Sequence, residues 1–225
     1  MPLSAGRCRQ RLVNLRKMGN SFLISLSSRM NDIKCKAAIG FLTVVSDAEH
    51  GLFGGYLVLN RAGRPMEFHC TAPVKPNRAQ EILYGPTLEP FLFGEQIGQT
   101  LVRKATSQVL AVCTDREPVL AVREFVDIPV AMVLPAEGEP EDSPAAPAGP
   151  ASPVSNLRFD QPHGRAALVT FVLGKHRLAI PSELESDRQV IADRLGPIAH
   201  SLDLLEPFQR IRDAIAEARR GGAAG

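Results

Sequence analysis

No apolar run in the chain approaches the roughly 18 residues that a membrane-spanning helix needs. Phe22 to Leu26 is apolar but too short for a signal-peptide core, and no small-residue cleavage site follows it. These absences lead us to expect a cytoplasmic protein with no membrane contact. No C-x-x-C pair occurs: Cys8, Cys35, Cys70 and Cys113 are scattered. In a reducing compartment that spacing reads as free thiols and argues against a zinc site. There is also no Walker loop, dinucleotide glycine fingerprint, serine-nucleophile elbow or HExxH. The commonest catalytic and cofactor signatures are thereby excluded.

Acids are missing from one region only. Residues 1–29 contain Arg7, Arg9, Arg11, Arg16, Lys17 and Arg29 and no carboxylate, a charge of +6 against a whole-chain net charge of +2. The remainder is therefore at −4, so the body carries no global nucleic-acid footprint. The basic stretch reads as an arm, a transit peptide or an extension upstream of Met30. The extension is the reading expected here, and on any of the three, residues 1–29 are poorly ordered.

The chain as a whole has a globular composition, 44% hydrophobic and 22% charged. Its richest stretch runs from Gly54 to Thr100. Ile33–Ser46 reads as a first strand bent at Gly40, and Tyr56–Asn60 as a second. A turn at Asn60–Gly63 follows, then a strand alternating with period two. Met66, Phe68 and Cys70 are expected to face the core, with Glu67, His69 and Thr71 facing away. Pro73 and Pro76 hold the next loop extended. Asn77 with Gln80 forms a near capping box for a short helix ended by Gly85-Pro86. Thr87 caps a second helix with a broad apolar face, in which Gly94 and Gly98 are expected to let it sit close on the sheet. Val109–Cys113 and Val119–Leu134 supply further strands, the latter interrupted near Pro129.

Composition changes at residues 135–155, where six prolines stand among Ala, Gly, Ser and four acids with no basic residue. That is a solvated linker. Beyond it, Ala166–Leu173 and His176–Ile180 flank Gly174-Lys175, which suits a type II′ hairpin. Ser182 with Glu185 opens a helix stopped by Gly196-Pro197, and Asp203 with Glu206 opens another to about Arg220. In the last helix Leu204, Phe208, Ile211 and Ile215 recur at spacings of 4, 3 and 4. That seam is too short to stand alone and must pack on its own unit or on a partner, a homodimer included.

The expected fold is α+β: a mainly antiparallel sheet of four to five strands with two helices on one face (residues 30–134), and a separate small hairpin-and-helices unit at 156–220. Residues 221–225 fray.

Three constellations could carry chemistry. The order strand, strand, strand, helix, strand is similar to the start of the ribonuclease H-like fold, with Asp47 ending the first strand, Glu81 on the first helix and Asp115 ending a later strand. The resemblance implies that these acids hold two Mg²⁺ or Mn²⁺ ions for attack on a phosphodiester. A polar group around the turn and loop, Arg61, Arg64, His69, Lys75, Asn77 and Arg78, could receive an anionic small ligand beside the helix start. The seam Leu204, Phe208, Ile211 and Ile215 could receive a protein partner. Two small units on a tether and no catalytic motif favour a non-enzymatic binding or adaptor module, and the metal-dependent phosphodiesterase is the alternative.

Overall fold

The computed structural model describes residues 38–135 and 167–222, with side chains to residue 220. The basic extension at 1–29 and, but for Pro135, the linker at 135–155 lie outside these residues.

Strands β1 (Ala38–Asp47) and β2 (Gly51–Asn60) form a ten-residue antiparallel ladder, and β3 (Pro65–Cys70) pairs antiparallel with β2. On the other side of β1, β4 (Val109–Thr114) runs parallel to it and β5 (Val130–Leu134) parallel to β4. The hairpin β6 (Leu168–Leu173) and β7 (His176–Pro181) then joins the same sheet, with β7 antiparallel to β5. The result is one seven-stranded mixed sheet, ordered β3-β2-β1-β4-β5-β7-β6. This corrects the expected antiparallel sheet of four to five strands with a separate C-terminal hairpin unit. The physical reason lies in β7. Leu178, Ala179 and Ile180 are consecutive and all buried, which requires neighbours on both faces. A lone hairpin cannot supply them.

Helix α1 (Arg78–Tyr84) is held by the Asn77–Gln80 capping box and closed by Gly85 at φ 51°, as its sequence signals. Helix α2 is continuous from Leu88–Pro90 through a π-helical stretch, Phe91–Gln99, into Thr100–Lys104. A 3-10 segment, Glu117–Phe125, replaces the first half of the strand expected at Val119–Leu134. Gly94 and Gly98 do not meet the sheet. A Cβ on Gly94 would strike Ala121 and Val122 of that 3-10 segment, and Gly98 also lies against Val122. Helix α3 (Ser186–Ala199) carries Pro197 inside it and runs past the expected stop at Gly196. It lies against β4, β6 and β7. Arg123 clamps its Asp187 with two hydrogen bonds of 2.7 and 3.3 Å, and Asp187 is the main cause of the raised Arg123 pKa.

Helix α4 (Glu206–Gly222) crosses β1 and β2. Its placement is decided at Gly54 and Gly55, successive residues of β2 that face opposite sides of the sheet. A Cβ on Gly54 would overlap Ile97 and Leu101 of α2; one on Gly55 would overlap Ile211 and meet Ile215 of α4. Each glycine admits one helix to its own face. Phe208 completes the second contact, edge-on to Phe41 with ring centroids 5.7 Å apart. The proposed partner seam, Leu204, Phe208, Ile211 and Ile215, is therefore buried in the chain's own core.

Candidate functional site

β3 is an edge of the sheet, and its two faces are the reverse of what alternation suggests. Glu67 and His69 pair in register with Val58 and Tyr56, on the α2 side, and their side chains are 16% and 20% exposed. Met66, Phe68 and Cys70, expected in the core, are exposed, the first two at 47% and 38%. The cause is the Glu67 carboxylate. It accepts hydrogen bonds from the Ser107 N–H at 2.6 Å, from the Thr106 N–H and hydroxyl at 3.0 and 2.8 Å, and from the His69 ring at 3.0 Å. These bonds, Ser107 foremost and His69 next, hold its pKa well below the usual carboxylate range. A carboxylate so satisfied can sit against the protein, which turns the apolar row outward.

Backbone geometry adds to this. Thr71 donates its N–H to Gly54 O, so the register makes Gly54–Thr71, Tyr56–His69 and Val58–Glu67 the hydrogen-bonded pairs. The alternate residues Phe68 and Cys70 then direct their N–H and C=O groups off the sheet, while the register shifts at Met66. Phe68 and Cys70 carry both the outward backbone groups and exposed side chains, and Met66 adds a third exposed apolar side chain. Near Cys70 the row meets a shallow recess lined by Phe53, Cys70, Thr71, Ile215, Ala218 and Arg219. The Arg219 guanidinium lies 5.1 Å from the Phe53 ring centroid and donates to Asp47 at 2.5 Å.

The six residues of the anion-binding group are not brought together. Arg61 and Arg64 flank the turn before β3. Lys75, Asn77 and Arg78 lie past its far end, where Val74 pairs with Leu52. Residues 60 and 51 of β2 mark the two ends, roughly 30 Å apart at about 3.3 Å per residue. Lys75 Nζ donates to the Glu49 carbonyl, Asn77 is used in its capping box, and Arg78 pairs with Glu81 at 3.0 Å. Arg61 and Arg64 are exposed and enter no ion pair among the described residues.

Nor do the three acids converge. Leu42 pairs with Thr114, so Asp115 lies beside Thr43, and Asp47 is four residues further along β1, roughly 13 Å on. Paired metal ions need carboxylates shared across about 4 Å. Both aspartates are held by α4, Asp115 by Arg212 and Asp47 by Arg219. The pKa of Asp47 is depressed first by the His50 N–H, then by the His50 ring, with Arg219 adding to them. Glu81 sits on α1, a helix with no buried residue that leads into the layer over the opposite face. No group of three or more His, Cys, Asp or Glu able to hold a metal occurs among the described residues.

Periodicity alone missed the edge. The prolines were the usable signal: Pro65 opens β3, and Pro73 and Pro76 follow it closely, and proline is tolerated at the margins of a sheet. No helix among the described residues is long and apolar enough to cross a membrane. No protein-family model and no curated protein matches the sequence.

Proposed function

We propose that this protein is a non-enzymatic binding module that takes up an extended segment of a partner protein on the outer edge of β3. The observation that carries this reading is the coincidence, in Phe68 and Cys70, of outward backbone groups and exposed side chains, extended by the exposed side chain of Met66. Sheet edges pair with another strand unless charge, proline, a bulge or a covering element blunts them. Here Pro65, the register shift at Met66 and the inward-turned Glu67 blunt the start of the strand, and Phe68 to Cys70 is the stretch left open. Strand addition would draw affinity from main-chain hydrogen bonds and selectivity from alternate side chains. Because Glu67 fixes β3 in advance, binding would cost little ordering entropy.

The test is a random-peptide selection on the full chain followed by amide exchange. Selected peptides should protect the amides of Phe68 and Cys70. They should bind a Met66→Lys/Phe68→Lys variant at least about 10-fold more weakly, the loss of about 1.4 kcal/mol of contact. Both side chains are exposed, so the variant should melt close to the parent. Ile82 and Leu83 on α1 are also exposed, at 66% and 81%, and Ile82→Lys/Leu83→Lys is the control that should leave binding unchanged. Peptides that protect neither amide, or that lose affinity only in the α1 variant, would end the reading.

A further inference from the structure

The surroundings of β3 are asymmetric in charge. At the end where β3 begins stand Arg61 and Arg64, exposed and without an ion pair among the described residues, in a turn locked by Asn60. The Asn60 carboxamide oxygen accepts from the N–H groups of Ala62 and Arg64 at 2.9 and 3.0 Å. Arg210 of α4 donates to Gly63 O at 3.1 Å and is itself neutralised by Glu206. At the far end two ion pairs form, Arg219 with Asp47 and Arg78 with Glu81, and Lys75 donates to the Glu49 carbonyl. The edge is an apolar row with a small recess at one end and, at the other, two cations without an ion pair among the described residues.

Resting on the reading of β3 as a docking edge, we infer that the segment it takes up runs antiparallel to β3, is apolar at alternate positions and carries acidic residues at its own C-terminal end. Antiparallel addition continues the β2–β3 pairing and is the commoner geometry. An antiparallel strand beside β3 has its C-terminal end next to Arg64 and Pro65, where carboxylates meet the exposed Arg61 and Arg64. Its N-terminal end lies beside Cys70, where the recess among Phe53, Ile215 and Ala218 receives an apolar side chain. A segment acidic at its N-terminus would instead place its charges where Arg219 and Arg78 are already paired with Asp47 and Glu81. The six residues of β3 set the length of the ladder.

Three labelled peptides, all acetylated and amidated, test this on the full chain: GVTVTVGDD, DDGVTVTVG and GVTVTVGNN. Fluorescence anisotropy at low salt should rank the first about 5-fold above the other two, since two exposed ion pairs are each worth at most about a factor of five. The advantage should vanish in Arg61→Ala/Arg64→Ala and shrink in 0.5 M NaCl. All three should weaken in Met66→Lys/Phe68→Lys. Equal affinities that still depend on Met66 and Phe68 would overturn the acidic end while leaving the docking edge in place. Preference for DDGVTVTVG would overturn the antiparallel orientation. Binding that ignores the Met66 and Phe68 changes would remove the docking edge and this inference together. Concentration-dependent self-association, seen by sedimentation and lost in Met66→Lys/Phe68→Lys, would give the edge to a second copy of the chain and overturn the peptide assignment.

Discussion

The two faces of the sheet receive their helices one residue apart, at Gly54 and Gly55, yet the chain supplies those helices from different distances. Ile97 comes from 43 residues beyond Gly54, on the second helix after the β1–β2–β3 meander. Ile211 comes from 156 residues beyond Gly55, after the whole remainder of the sheet. The contacts themselves are alike: an isoleucine seated where a Cβ would be, with a second aliphatic side chain beside it. What differs is the chain connectivity that delivers them. The near face is a local crossover, and the far face is closed by a helix tied back through ion pairs, Arg212 to Asp115 and Arg219 to Asp47.

The strongest way to break the equivalence is to empty one contact at a time. Phe208→Ala should cost about 3–5 kcal/mol, because the ring is fully buried and edge-on to Phe41. Ile97→Ala should cost about 2–5 kcal/mol. Denaturant titration measures both. Exchange should quicken first in α4 for the former and in α2 for the latter, and identical exchange patterns would mean that the faces open together.

Overfilling is the next largest effect. Gly54→Ala and Gly55→Ala should each destabilise by about 1–3 kcal/mol, since the clash falls on branched side chains held by a helix. If either substitution stabilised the fold, as alanine would in an uncrowded strand, the close approach on that face would be refuted.

Smallest is an effect of acid that separates β3 from both helices. A carboxyl whose pKa is depressed in the folded state adds stability above its unfolded value, near about 4.3, and that stability is lost as pH falls through the folded pKa. Glu67 is such a group. The parent should therefore lose stability progressively below about pH 4. Glu67→Gln should be less stable at pH 7 and lose less on acidification. Melts at pH 7 and pH 3 measure this; parallel loss in the two proteins would sever Glu67 from the ordering of β3. Asp47, depressed by His50 and Arg219, contributes to the acid loss in both.

The sequence was readable where a few adjacent residues decide the backbone. The turn at Asn60–Gly63, the Asn77–Gln80 cap, Gly85 and the Gly174 turn each rest on contacts within four residues, and φ is positive at all three glycines. It was not readable where a distant segment decides which surface is covered. Alternation in β3 establishes that Glu67 and Met66 face opposite ways, but the ligands that sink Glu67 arrive 39 and 40 residues later. The spacing of Phe208, Ile211 and Ile215 declares a packing face, and Gly55 on β2 chooses its partner. The candidate acids failed for a related reason: strand ends are where aspartates form turns and meet helix cations, as Asp47 does with His50 and Arg219. Of the site itself, the cations Arg61 and Arg64 were visible beforehand, and the edge between them and the recess was not.

The late arrival of α4 also has a timetable. During synthesis at roughly 5–20 residues per second, about 7–30 s separate the completion of β2 from the first residues of α4. For that interval Phe41, Leu57 and the bare backbone at Gly55 lack the helix that covers them in the finished fold. A nascent chain in this condition carries exposed apolar surface until Phe208 closes over Phe41.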